Sequence, residues 1–391
     1  MQEGVQMSKK WFSTYQEDLI TATTLLESFI KRFEADESLK NFFNDLEKEY
    51  FTRFIFESNN MEKEGLPEGD TKKLVFESFE ANEFLETIKD RLFNVKYDLV
   101  VNDEVVNESD LDNGLDFKNN ITPVFSFKRK KKDIVLVIDT LIALLTSKNS
   151  ILRYLNRNRK FLRSFEENNI IPNNLVGFGN RYNQKSRKIK RIKDNGDYLI
   201  TEEEIKRLHK ALSEDIKDYD NGKPGEYRPE SACIDMNTVF LEPSLIDAAM
   251  KKWVQDHEDR FKKEFYNPFI EACKLTGDFI LIHPFGDFNG RVSRILLNMI
   301  LQLEGIPFYL VLRSRSKDKK KYLTSMKHYA RGKPTTYLSL VCKTFIKEME
   351  SINERLKIAG IEPIETVPLN DKQLEFLEES LSMYIKKPYK L

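Results

Sequence analysis

The stretch HPFGDFNGRVSR, His283 to Arg294, packs a histidine, an acid, an Asn-Gly pair and two arginines between the apolar runs FILI and ILLNMIL. The pattern predicts a helix ending at Ile282, a polar turn over His283 to Gly286, and a second helix starting at Asp287, where a carboxylate is favoured. Asn289, Gly290 and Arg291 then fall in its first turn, whose free N–H groups form an anion site. Arg291 and Arg294 are three residues apart and share one helix face. Two arginines with backbone donors suit a polyphosphate better than a single carboxylate. Asp287 beside phosphates suits Mg²⁺, which takes one or two carboxylates plus phosphate oxygens. His283, at the mouth, stands as a general base.

Helices must position these groups. Apolar residues recur at three- and four-residue spacing from Trp11 to Glu57, and a helix resumes from Thr71 to Phe93 after the break EGLPEGD. Residues 97–125 read as a small hairpin or irregular insertion. A second helical block follows KRKKKD, and 168–198 reads as an exposed basic loop. Thr201 and Glu204 form a capping box that opens a helix. Residues 223–243 read as a hairpin or extended flap. Further helices are expected at 243–263, 267–282, 287–304, 317–330 and 334–358.

The 391 residues allow two or three domains at about 150 residues each. The three cysteines form no CxxC pair, which favours a reducing, cytoplasmic setting over a disulfide framework or a zinc site. The N-terminus has no signal-peptide core, and the longest apolar run, residues 134–145, falls short of the ~20 residues of a membrane span. Net charge is zero, yet Lys128 to Lys193 holds eighteen Lys and Arg against four Asp and Glu. A solvated face is the plainer explanation of that block, with an acidic protein or a nucleic acid as the alternative partner. Taken alone, His209, His257 and His328 read as structural or surface histidines.

The motif resembles that of the Fic family, HxFx(D/E)GNGRxxR. Every position matches except Phe288, where Gly is usual. The similarity extends over about residues 198–350. ESNNMEKEG, residues 57–65, resembles the family's inhibitory segment (S/T)xxxE(G/N), with Ser58 and Glu62 at its fixed positions and Lys63 in place of Gly or Asn. Phe288 is expected to take ordinary helical angles.

The resemblance implies a mainly α Fic-type helical bundle with a small β-hairpin flap. The expected organisation is an N-terminal helical region over 1–96, a basic insertion over 97–197, a catalytic core over 198–358 and a C-terminal tail or helix over 359–391. It implies a protein adenylyltransferase that moves AMP from ATP to a Ser, Thr or Tyr hydroxyl. His283 would deprotonate that hydroxyl and Asp287 would hold Mg²⁺. Asn289 and Gly290 would cradle the phosphates, Arg291 would stabilise the leaving pyrophosphate, and Arg294 would bind the γ-phosphate. Phe285 would anchor the loop in the core and Tyr322 would line the adenine pocket. Glu62 would pair with Arg294 and block the γ-phosphate site, and in some relatives the same glutamate serves AMP removal. The flap would pair with an extended target segment, and a homodimer is a further expectation. The alternatives are another nucleotide donor on the same fold, or a binding module whose active site is weak or lost.

Overall fold

The computed structural model describes residues 2–80, 99–101, 104–106, 132–133, 135–148, 150–151, 199–214, 216, 221–235, 238–262 and 267–386. Its described elements are mainly helical. The chain begins with α1 (Gln2–Ala35), α2 (Glu37–Met61) and α3 (Glu68–Glu80). Two short antiparallel strands, β1 (Leu99–Val101) and β2 (Glu104–Val106), precede a helical stretch over 135–148, here α4. Then come α5 (Glu202–Ser213), the antiparallel strands β3 (Cys233–Asp235) and β4 (Thr238–Val239), and α6 (Pro243–Lys262). The last five helices are α7 (Pro268–Ile282), α8 (Asn289–Leu303), α9 (Ser316–Ala330), α10 (Thr335–Ile358) and α11 (Asp371–Lys386).

The pair α7 and α8 is the centre of the bundle. Both are buried nearly all round, α7 through Phe269, Leu275 and Phe279 and α8 through Val292, Leu296 and Ile300. Such helices belong inside a core and carry polar groups only where those groups have partners. Helix α7 starts where Asn267, with φ −115°, accepts from the N–H groups of Phe269 and Ile270, and Pro268 follows at the first helical position, where a missing N–H costs nothing. It ends at His283, whose left-handed backbone (φ 51°) stops the helix.

The N-terminal helices join the same core. Phe29 of α1, Phe43 and Tyr50 of α2, Phe345 of α10 and Phe308 form one aromatic cluster with ring centroids 5.3–6.3 Å apart. Glu348 of α10 receives Arg53 of α2 at 2.9 and 3.0 Å, and Arg355 grips Glu49 through two bonds of 2.8 Å. These two-toothed pairs fix α2 along α10. From the expected insertion, α4 buries Leu136, Val137, Leu141 and Leu144 in this core rather than standing apart. The basic loop at 181–193 lies outside the described residues. Within the expected C-terminal tail, α11 buries Leu377, Leu381 and Tyr384.

Asn267 also donates to Thr23 of α1 at 3.0 Å. Asn267→Ala removes a helix cap and a buried inter-helix bond together. It should lower the unfolding free energy by about 2 kcal/mol, read as the urea midpoint at unchanged m-value.

Candidate active site

The loop between α7 and α8 is held from three sides. Phe285 is sealed in the core, its ring stacked on His209 of α5 at 3.8 Å and 8°. Asn289 closes the loop on itself: its Oδ1 accepts from Phe285 N at 3.1 Å and its Nδ2 donates to Phe285 O at 2.7 Å. From the segment before β3, buried Arg228 donates through Nε to the His283 carbonyl at 2.8 Å, through Nη1 to Glu230 O at 2.6 Å, and through Nη2 to Leu241 O. Its N–H donates to Pro284 O at 2.9 Å. Burial pushes the Arg228 guanidinium down, and Glu242 partly offsets this. Gly286 is a close-approach position: a Cβ there would lie 2.0 Å from the Asn221 carbonyl oxygen.

His283 therefore has a fixed backbone. Its ring stacks on Phe240, just after β4, at 3.7 Å and 7°. Its Nδ1 lies 3.4 Å from the Ile280 carbonyl, so a proton on Nδ1 points there and Nε2 is left as an acceptor. Burial drives its pKa down to about 4 against the raising effects of Ile280 and Glu62, so the ring is neutral at pH 7. That is the state a general base needs.

Asp287 is exposed, and its Oδ1 accepts from Phe288 N at 2.6 Å. It does not cap α8. The capping position falls one residue later, on Phe288, with φ 61° and ψ 1° and no side-chain cap. The expectation of ordinary helical angles for Phe288 is thus overturned. The loop needs a left-handed residue there, which explains why the family uses Gly. Lys63, the other departure, also has positive φ (62°), just past the end of α2. Phe288 keeps its place by burial: its ring packs under the Arg291 guanidinium at 3.9 Å and edge-on to His209 at 6.2 Å.

Helix α2 delivers its C-terminal end onto α8. Ser58 Oγ accepts from Arg294 Nε at 3.0 Å, and the Ser58 carbonyl accepts from Nη2 at 2.9 Å. Glu62 Oε1 accepts from the same Nη2 at 2.8 Å. A Cβ on Gly290 would meet that Glu62 oxygen at 2.8 Å, so the carboxylate lies over the first turn of α8. Burial raises the Glu62 pKa, but the charge and hydrogen bond of Arg294, with Arg291 and Lys319, hold it below the usual carboxylate range. Arg291 Nη2 donates to Glu64 Oε2 at 2.9 Å, and burial pushes its guanidinium down. Tyr322 of α9 is buried, with its hydroxyl beside Arg294 and its ring edge-on to Tyr337 at 6.2 Å.

His283, Asp287, Asn289, Gly290, Arg291 and Arg294 thus share one loop and helix start, and Ser58 and Glu62 reach it from α2. Glu64, Asn59, Arg228, His209 and Phe240 also build the site. None stands at a fixed motif position, and their three-dimensional contacts identify them. Among the described residues no group of three or more His, Cys, Asp or Glu could hold a metal by itself. One exposed carboxylate at the mouth still fits Mg²⁺ shared with phosphates, because that ion leans on substrate oxygens.

The sequence profile of the Fic/DOC family matches residues 199–301. A Fido domain-containing protein of Dictyostelium discoideum is 33% identical over 121 residues, 30% of this chain and 82% of that protein. The chain belongs to the Fic family. Fic-1 of C. elegans, residues 134–508, aligns with a TM-score of 0.51 at 14% identity, covering 91% of this chain and 76% of that one. A Fic family protein from Desulfovibrio desulfuricans gives 0.50 at 12% identity, covering 93% and 84%. At these identities the two structures establish the Fic fold. Fic proteins generally transfer nucleotide-derived groups onto proteins, a transferase kind of activity. No helix among the described residues is long and apolar enough to cross a membrane.

Two outcomes follow from this geometry. Phe288→Ala keeps the left-handed backbone and loses the ring, and should cost about 3 kcal/mol. Phe288→Gly loses the same ring but relieves the backbone, and should cost about 1 kcal/mol less than Ala. The opposite order in urea unfolding would contradict the positive φ. His209 is fully buried, and burial takes its pKa down to about 3. The unfolded chain then binds a proton below pH 6.5 that the folded chain refuses, so stability falls as pH drops through the window from 6.5 to 3. From pH 7 to pH 5 this group should remove about 2 kcal/mol, and His209→Gln should make that part of the profile shallower by this share, leaving the contributions of buried His257 and of His283.

Proposed function

We propose that the chain is an autoinhibited protein adenylyltransferase, moving AMP from ATP to a hydroxyl side chain of a target protein and to itself. The observation that carries this reading is the Glu62 carboxylate seated on Arg294 over Gly290. A helix start with two buried arginines is a polyphosphate site, and here the chain's own anion fills it.

In the open site, Arg294 takes the γ-phosphate, Arg291 the leaving pyrophosphate, and the backbone at Asn289 and Gly290 the phosphates nearest the helix. The Asn289 side chain shapes the loop through its bonds to Phe285. Asp287 would hold Mg²⁺, which supplies neutralisation of the phosphate charge when bound. Neutral His283 accepts the target's hydroxyl proton at Nε2 as that oxygen attacks the α-phosphorus. The bond from that phosphorus to the bridging oxygen of pyrophosphate breaks. The β3–β4 segment, ending at Phe240 against His283, offers an edge on which an extended target segment can add as a strand. With Glu62 in place, the γ-phosphate has no seat on Arg294. Free Cys273 and Cys342 suit a reducing, cytoplasmic setting.

Wild type, Glu62→Gly and Glu62→Gly/His283→Ala are incubated with Mg²⁺ and each nucleoside triphosphate labelled at the α-phosphate. Glu62→Gly should label strongly with ATP, and the added His283→Ala should cut labelling by about 10² to 10⁴. Labelling from another nucleotide would change the donor and keep the chemistry. Label equal in wild type and Glu62→Gly would remove the inhibitory role of Glu62. A folded Glu62→Gly that takes label from no nucleotide would refute the transferase reading.

A further inference from the structure

The end of α2 delivers a second carboxylate. Glu64 Oε2 accepts from Arg291 Nη2 at 2.9 Å, while Glu64 Oε1 lies 3.3 Å from Lys132 Nζ. The Arg291 side chain is 1% exposed, the Glu64 side chain 28% and the Lys132 side chain 48%. In a continuous helix, residues two apart point to different faces. The left-handed backbone at Lys63 breaks that rule and turns Glu62 and Glu64 toward the same helix, α8. Each takes a different arginine. Arg291 Nη1 adds a long bond to Asn59 Oδ1 at 3.5 Å, and its buried Nε finds no acceptor among the described residues. Glu64 is therefore the anionic partner of Arg291, and it shares its charge with a lysine from the segment before α4.

We propose that Glu64 is a specificity-determining residue of the nucleotide site, opposing the β-phosphate of a donor as Glu62 opposes the γ-phosphate. This rests on the reading of the site as a nucleotide site. Arg294 lies one turn further along α8 and serves the terminal phosphate. Arg291, nearer the helix start, is left for the phosphate before it. To admit that phosphate, Glu64 must leave Arg291. Lys132 makes this cheaper, because Glu64 keeps one of its two cations as it swings away. The two glutamates therefore act on different donors: Glu62 on triphosphates alone, Glu64 on di- and triphosphates alike, and neither on monophosphates.

The test is calorimetric binding of AMP, ADP and ATP, each with Mg²⁺, to the full chain as wild type, Glu62→Gly, Glu64→Gln, Lys132→Ala and Lys132→Ala/Glu64→Gln. Glu62→Gly should tighten ATP about tenfold and leave ADP unchanged; Glu64→Gln should tighten ADP and ATP by a similar factor and leave AMP unchanged. Lys132→Ala lies off the α2–α8 contact. It should weaken ADP and ATP severalfold, and that loss should vanish when Glu64→Gln is also present. Unchanged ADP affinity in folded Glu64→Gln, or a Lys132 effect that persists without Glu64, overturns the proposal. If Glu62→Gly still takes AMP label from ATP in that case, the transferase reading stands without the second carboxylate. No nucleotide binding in any variant overturns both.

Discussion

A guanidinium taken out of water must be given an anion, and that requirement organises this molecule. Arg291 and Arg294 project from α8, whose other side chains fill the core, and both are nearly sealed from solvent. Leaving either charge unpaired in such a place is costly, far more so than losing an exposed ion pair. The protein meets the requirement with Glu62 and Glu64 from the end of α2. A polyphosphate would meet it equally well. The same burial that would make the arginines a strong nucleotide seat makes them a strong seat for an internal carboxylate, so in the proposed function inhibition and binding draw on one interaction.

The rest of the fold can be understood as what makes that exchange specific. Arg228, Asn289 and His209 pin the loop and so fix the relative places of His283, Asp287 and the α8 N–H groups. The two-toothed pairs of Arg53 with Glu348 and Arg355 with Glu49 lay α2 along α10, so its end arrives over α8 in one register. Asn59 is buried between α2 and α4: it accepts from Thr140 Oγ1 at 3.2 Å and donates to the Leu136 carbonyl at 3.4 Å. The end of α2 is thus braced from α4 as well as from the core, and a change in α4 has a physical route to the site.

Much of this was legible in the sequence because the motif is local. Twelve consecutive residues hold the proposed base, acid and anion cradle and both arginines, and the helices around them follow from apolar spacing. Glu62 and Ser58 were legible for the same reason, as a short pattern with fixed spacing. What escaped is set by backbone conformation or by long-range contact. Phe288 and Lys63 stand at left-handed positions, which spacing alone cannot reveal. The capping position of α8 therefore falls on Phe288, one residue past Asp287, and the helix begins at Asn289. Glu64 looks like one more charged residue near a helix end until the turn at Lys63 aims it at Arg291. Arg228 reads as part of a flap, yet its guanidinium binds backbone carbonyls across the site. The hydrophobic run at 134–145 announced burial without saying what it would pack against, since a helix and a strand share that signature.

In the proposed function the chain's own carboxylates sit where a nucleotide's phosphates would go. A crystal structure of Glu62→Gly bound to a non-hydrolysable ATP analogue and Mg²⁺ tests it directly. The expected result is the γ-phosphate on Arg294, a phosphate over the Gly290 N–H, and Glu64 withdrawn from Arg291 toward Lys132. A nucleotide bound away from the α8 start, with Glu64 still on Arg291, would contradict it.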